Sequence, residues 1–211
     1  MRDAPRVGCA ILAAGAGVRY GAPGAKLTAT FGGKALVQHA IDAACTSKAA
    51  AVTLVLGAAY ERVLAFADTR RSAVAVNAGW IEGIASSIRT ALALRQDVDA
   101  CIFMLGDQPH VEPADLDAMI DAFARDRRAI VALRRERVWG APILFPALDF
   151  SALSRLNGDA GAKRHAQAQV TRLAFVRARS ADAFADVDSP LDLTHPDDSR
   201  TRRTRRSPVR R

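Results

Sequence analysis

Short apolar runs of strand length alternate along this chain with segments of helical period, and that alternation limits what it can fold into more than any other feature. Val7–Leu12, Ala51–Leu56, Ala73–Val76, Ala100–Leu105, Ala129–Leu133, Ile143–Phe145 and Thr171–Val176 read as strands. Between them, Ala35–Ser47, Ala59–Ala67, Ser86–Leu94, Glu112–Arg125, Ala147–Leu156 and Ala160–Gln169 carry apolar residues at helical spacing. Glu112-Pro113 opens its helix with acidic residues close behind, and the two serines at Ser86 and Ser87 read as the start of theirs. Such alternation predicts an α/β fold, a three-layer, Rossmann-like open sheet that is mostly parallel, with helices on both faces. Open sheets of this kind bind ligands beyond the carboxyl ends of their strands. The loops after Leu12, Val76 and Leu105 then share one rim, which brings Gly15, Arg19, Asn77 and Asp107 together.

The first strand ends in Ala13-Ala14-Gly15-Ala16-Gly17-Val18-Arg19-Tyr20-Gly21, and Lys26 follows. Glycines let backbone N–H groups approach an anion without a Cβ in the way, and two cations supply the charge that phosphates attract. A turn needing φ > 0 explains the glycines but not both cations. The loop is half of a dinucleotide fingerprint only: Tyr20 stands at its third glycine, and Gly57 stands where a ribose-binding acid belongs. No Gly-Lys-Ser/Thr closes it as a Walker loop. Asp107 follows the Ala100–Leu105 strand in Leu105-Gly106-Asp107-Gln108-Pro109. Alone it reads as a turn or cap residue; beside a phosphate loop it reads as a Mg²⁺ carboxylate, since Mg²⁺ takes one or two carboxylates and keeps several waters. Asp188, just before the cap-like Ser189-Pro190, is a candidate second carboxylate. Asn77 and the Gly79–Ser87 loop offer amide groups for a base edge, Ser86 and Ser87 also reading as helix caps and Trp80 as core or lid. Asp159 reads as an N-cap. Lys163 and Arg164 face either an anionic second substrate or water. His39, His110, His165 and His195 form no constellation.

Composition adds boundaries. The 211 residues are half hydrophobic, enough for one core, and the net charge of +8 is misleading: seven arginines from Arg200 onward account for all but one of those charges. We expect one domain over residues 1–195 and a disordered Arg-rich tail over 196–211, a solvated terminus more than a nucleic-acid contact. Cys9, Cys45 and Cys101 are widely spaced, as in reduced, buried thiols of a cytoplasmic protein. No apolar run is long and charge-free enough to suggest a membrane span.

Six motifs then occur in order: LAAGxGxRxG…K (12–26), GxxxGIASSI (79–88), LGDQP (105–109), GAPILF (140–145), GDAGAK (158–163) and DVDSPLDL (186–193). Together, over residues 6–193, they resemble the molybdenum cofactor cytidylyltransferase type of nucleotidyltransferase. The resemblance implies a nucleotide-diphospho-sugar-transferase-like fold. It implies transfer of a nucleotidyl group, usually CMP from CTP, to the terminal phosphate of molybdopterin, with release of pyrophosphate. It assigns Mg²⁺ to Asp107 and Asp188, and catalytic roles to Arg19, Lys26 and Asp107. Ala13, Ala14, Gly15, Gly17, Arg19 and Lys26 then hold the triphosphate, and Asn77, Gly83, Ser86 and Ser87 the nucleoside. Gly140, Asp159 and Lys163 fall to the acceptor. A molybdoenzyme or its maturation factor becomes a further partner.

The sequence departs from the family's pattern in a long spacer, Ala22–Ala25, before Lys26. It departs again at Ile84 for methionine, Lys163 for arginine and His165 for an apolar residue. Three other readings stand beside this one: another phosphorylated acceptor or another base, a dinucleotide-dependent oxidoreductase, and a non-catalytic nucleotide or RNA binder using the tail.

Overall fold

Val7–Ala13 (β1), seven consecutive buried residues, is the middle of the molecule. It pairs in parallel with Ala51–Leu56 (β4) on one side and Ala100–Leu105 (β6) on the other. Strands buried on both faces read as continuous apolar runs, which is why these are legible. A computed structural model describes residues 4–17, 20–94 and 97–185; Arg19, Asp188 and the 196–211 tail lie outside them. Adding Ala73–Val76 (β5), Ile130–Arg135 (β7), Val138–Pro146 (β8) and Leu173–Arg177 (β9) completes a seven-stranded sheet in the order β5-β4-β1-β6-β8-β7-β9. Of these, only β8 runs against its neighbours.

Helices cover both faces. On one, Leu36–Thr46 (α2), Tyr60–Phe66 (α3) and Pro113–Arg125 (α5) bring Val37, Ile41, Val63, Met119 and Phe123 onto Ile11, Leu54 and Met104. On the other, Ile84–Ala93 (α4), Phe150–Leu153 (α6) and Ala162–Ala168 (α7) bring Ile88, Leu92, Leu153 and Ala166 onto Leu12, Val55, Phe103 and Phe145. This is the expected three-layer α/β architecture. No helix among the described residues is long and apolar enough to cross a membrane. Cys9, Cys45 and Cys101 are free thiols.

Several local expectations need correction. The run at Ile143–Phe145 covers only three residues near the C-terminal end of a nine-residue strand, Val138–Pro146. Pro142 falls where the β7–β8 register shifts beside Ala132 and Leu133, outside the paired positions of the ladder. Ala147–Leu156 is a 3-10 turn, Ala147–Asp149, followed by one turn of α-helix. The last strand starts at Leu173, because Val170–Arg172 forms another 3-10 turn. Asp149 fixes that region: it is buried and accepts hydrogen bonds from both His165 and Arg172. The helix from Ile84 is capped by the backbone of Gly83, not by a serine. The α5 start follows Glu112-Pro113 as read, and the structure adds a reciprocal capping box between Glu112 and Asp115. Asp115 also accepts the Arg179 backbone N–H at 3.0 Å, so one fully buried carboxylate ties the end of the described chain to this helix.

A four-residue helix, Ala25–Thr28 (α1), and a hairpin of Thr30–Phe31 (β2) and Lys34–Ala35 (β3) fill the stretch before α2. Half-buried His39 holds the hairpin, its ring nitrogen donating to the Phe31 carbonyl at 2.8 Å and its ring meeting Phe31 edge-on. Burial pushes the His39 pKa below its ordinary value; the Phe31 bond opposes this, Lys34 and His110 add to it, and Asp42 counters them. The fold therefore favours the neutral imidazole, while the unfolded chain binds the proton more readily. Its contribution is complete above about pH 6.5 and is lost as pH falls below it. The melting temperature is expected to fall on acidification from pH 7 to 5, and His39→Gln to flatten that slope; parallel slopes for the two proteins would contradict this.

Candidate active site

All four strands β1, β4, β5 and β6 end on the same rim, and short backbone bonds fix the loops that leave them. Gly106 N–H donates to the Leu12 carbonyl, Ala58 N–H to Ala14, and Asn77 N–H to Leu56. Between these loops lies a cleft of about 540 Å³. Ala13, Ala14, Gly15 and Gly17 form one wall, Gly106 and Asp107 another, with Gly83 and Ser87 opposite. Lys26 crosses from α1, its Nζ 2.6 Å from Asp107 Oδ2, both side chains mostly buried. The convergence expected of the first glycine loop and Asp107 is thus present. Arg19, expected on this loop, lies outside the described residues, as does Asp188.

The glycines divide by what holds them. A Cβ on Gly57 would sit 2.5 Å from the Ala14 carbonyl oxygen and 2.7 Å from Trp80 Cβ. That close approach is why glycine, rather than a ribose-binding acid, follows β4. Gly83 has φ +94° and touches the Gly158–Asp159 backbone and carboxylate, while Gly106 lies against Ala13. Gly15 differs: it lies outside the left-handed region, and a Cβ there meets nothing within 4 Å. Its missing side chain leaves space only in the cleft.

Asn77 does not line this cleft. Its amide donates to Ser86 Oγ at 2.7 Å and Ser87 Oγ at 3.1 Å, and its oxygen accepts the Gly79 N–H at 3.0 Å. Ser86 in turn donates to the Gly83 carbonyl. Asn77 and Ser86 therefore stitch the β5–α4 loop to the first turn of α4, with every donor of the Asn77 amide occupied by protein. Ser87 and Gly83 remain at the cleft, joined by Trp80 and Ile81 from the 3-10 turn Trp80–Glu82. Asp159 is not a helix cap, since α7 begins at Ala162 behind Gly161; its carboxylate lines the cleft beside Gly83.

A second pocket of about 350 Å³ opens beside the first, the two sharing Leu12, Ile84 and Leu105. Its walls are mainly apolar, with Phe103, Ile143 and Trp139, and they include Gly140 and Lys163. Lys163 lies over the Trp139 ring at 4.9 Å and donates to the Trp139 carbonyl. Gln108, unassigned in the sequence although part of LGDQP, is buried there and bridges two strands: it donates to the Ala141 carbonyl and accepts the Leu105 N–H. Like Gly15, Gly140 has open space where a Cβ would stand. Of the three residues expected at an acceptor, two line this pocket and Asp159 lines the first.

Comparison with known proteins agrees with this arrangement. A family model described as MobA-like NTP transferase domain matches residues 9–173. The nicotine blue oxidoreductase of Paenarthrobacter nicotinovorans is 30% identical over 167 residues, covering 76% of this chain and 81% of its own. The crystal structure of Rv0371c from Mycobacterium tuberculosis H37Rv superposes with a TM-score of 0.76 at 29% identity, over 90% of this chain and 96% of that one. A structure of Rv0371c in complex with manganese, from the same organism, superposes with a TM-score of 0.71 at 25% identity, over 90% and 94%.

The different constraints on the glycines give a paired expectation. Gly57→Ala forces backbone apart and should cost about 1–3 kcal/mol of stability. Gly15→Ala should change stability by no more than about 0.5 kcal/mol while weakening nucleotide binding. Denaturant melts and nucleotide titrations of both variants check this, and a large stability loss at Gly15 would contradict it.

Proposed function

Because the chain belongs to the MobA-like NTP transferase family, we propose that it transfers a cytidylyl group from CTP to the terminal phosphate of molybdopterin and releases pyrophosphate. One observation carries the nucleotidyl-transfer reading: the Gly15 loop and the Lys26–Asp107 pair face one cleft that opens into an apolar pocket. The choice of CTP and molybdopterin rests on the six ordered motifs, and another phosphorylated acceptor or another base would use the same geometry.

In this reading the triphosphate lies along Ala13–Gly17, where the absent Gly15 side chain lets it approach the backbone. Lys26 offsets its charge. Gly83 and Ser87 flank the nucleoside, and the acceptor enters from the pocket lined by Gly140 and Lys163. An acceptor phosphate oxygen attacks the α-phosphorus in line. The new P–O bond forms as the bond from the α-phosphorus to its β-bridging oxygen breaks, and pyrophosphate departs with that electron pair. The nucleophile is already anionic, so no general base is required. The side chains contribute alignment and charge neutralisation.

The residues present suit Mg²⁺. Asp107 is a partly exposed carboxylate on the cleft, with Asp159 on the same lining, and no cluster of three or more His, Cys, Asp or Glu ligands occurs among the described residues. Mg²⁺ is commonly held by one or two carboxylates and completed by waters and substrate phosphates. When bound, it supplies positive charge against the triphosphate. Asp107 would hold it; until then Lys26 neutralises that carboxylate. The manganese complex formed by Rv0371c is consistent with a divalent ion in such a fold.

A second reading, a dinucleotide-dependent oxidoreductase, draws on the relative named as an oxidoreductase. Against it, the residue that follows β4 is Gly57, which offers no carboxylate to a ribose.

The test is pyrophosphate release with CTP, GTP and ATP, each with and without molybdopterin and with Mg²⁺, beside oxidation of reduced nicotinamide cofactors. Release with CTP that depends on molybdopterin is expected; cofactor oxidation without pyrophosphate release would favour the second reading. Asp107→Asn should lower turnover at least about 100-fold while costing about 1 kcal/mol of stability. Normal turnover of that variant at saturating Mg²⁺ would remove Asp107 from the mechanism.

A further inference from the structure

Beyond the second pocket, the rim carries a feature that nucleotidyl transfer does not use. The C-terminal ends of β7 and β9 place Arg134 and Arg177 opposite each other in register. Like charges directly opposite across paired strands are unfavourable unless something neutralises them. None of the ion pairs among the described residues involves Arg134, Arg135 or Arg177. The three guanidinium groups line a notch of about 370 Å³ with Phe175, and Glu136 at the hairpin tip is the one carboxylate in the lining.

The arginines are arranged differently. Arg135 donates to the carbonyls of Ala178 and Arg179, which anchors its guanidinium to the backbone. Arg134 lies over the Phe175 ring at 4.5 Å, a stacking that leaves the edge of its fork available. The Arg177 guanidinium donates no hydrogen bond to a described residue. Phe175 also meets the Trp139 ring edge-on at 5.6 Å, and Trp139 carries Lys163 on its face at 4.9 Å. Lys163–Trp139–Phe175–Arg134 is therefore one continuous row, two rings with a cation at each end. It runs from the second pocket to the notch.

We propose that this notch is an anion site for a small ligand whose phosphate or carboxylate lies between Arg134 and Arg177 and whose aromatic or apolar body lies along Phe175 and Trp139 toward the second pocket. Planar anions suit paired guanidinium forks, which can each donate two parallel hydrogen bonds. The rings give the attached body an apolar surface, and the size of the notch suits a small molecule. If the rim works as proposed above, the ligand is the far end of the acceptor, which then carries a second anionic group remote from the one that reacts. The notch itself does not depend on that reading.

The chain's two tryptophans separate the sites: Trp80 lines the nucleotide cleft and Trp139 the row leading to the notch. In Trp80→Phe protein, phenyl phosphate should change Trp139 fluorescence saturably, and phenol at the same concentrations should not. Arg134→Ala with Arg177→Ala should weaken that response at least tenfold. Arg177→Ala alone, which removes a side chain without a described hydrogen bond, should weaken it as well. In Trp139→Phe protein the same arginine substitutions should leave the CTP response of Trp80 unchanged. No Trp139 response, an equal response to phenol, or a response indifferent to the arginines overturns the notch. A salt-steep response to a short single-stranded oligonucleotide, with none to phenyl phosphate, overturns it in favour of nucleic acid. A failed CTP response at Trp80 with an intact notch response sinks the nucleotide reading and leaves the anion site standing.

Discussion

The parallel pairing of β1 with β4 and β6 is the constraint on which the site depends. Three buried strands running the same way deliver three loops to one edge, and no side-chain choice within the loops can undo that. The loops also lie in close contact with one another. Gly57 lies against Ala14 and Trp80, Gly106 against Ala13, and Gly83 against Gly158 and Asp159. Each is a place where one methyl group would force two walls of the cleft to separate. The cleft is therefore a product of sheet geometry and close backbone contact, and the residues left to chemistry are those these contacts do not use.

Electrostatics along the rim changes in steps. In the first cleft Lys26 pairs with Asp107, both side chains mostly buried. The second pocket is apolar with one ammonium at its edge. The far end is basic, with arginines that no carboxylate among the described residues neutralises. A ligand crossing this rim would meet, in turn, a polar glycine-lined wall, an aromatic surface and a cationic notch. Membership of the family fits the first step. The relative named as an oxidoreductase shares most of the chain's length, so the later steps are where substrate choice has room to differ.

Legibility in the sequence follows the range of the interactions. β1, β4 and β6 are legible to within a residue because burial between helix layers makes each a short apolar run, and the mostly exposed edge strand β5 is legible from its apolar Ala73–Val76 run alone. The start of α5 is legible because Glu112-Pro113 and the acidic residue behind it lie within one turn. The nine-residue β8 looks like a three-residue strand because Gly140 and Pro142 resemble breakers when seen alone. Gly140 keeps its pairing with Leu133, and Ala141 and Pro142 are the extra residues of β8 where its register with β7 shifts. Gly15, Lys26 and Asp107 can be read as one site although 81 residues separate the last two. That succeeds because a parallel sheet leaves the ends of its strands only one place to go.

What the chain determined by itself was its layer architecture and the rim on which a glycine loop and a carboxylate would meet. Those follow from burial pattern and strand direction, which are local. Only the tertiary structure decided which polar groups stay available. Asn77 looks ready to read a base, yet its amide is consumed by two serines on the next helix. Asp159 looks like a cap, yet it faces the cleft. Two arginines with no visible relation in sequence stand side by side on adjacent strands. A hydrogen-bonding group is free or spent according to what folds against it, and that partner is fixed by packing between elements that the local pattern does not specify.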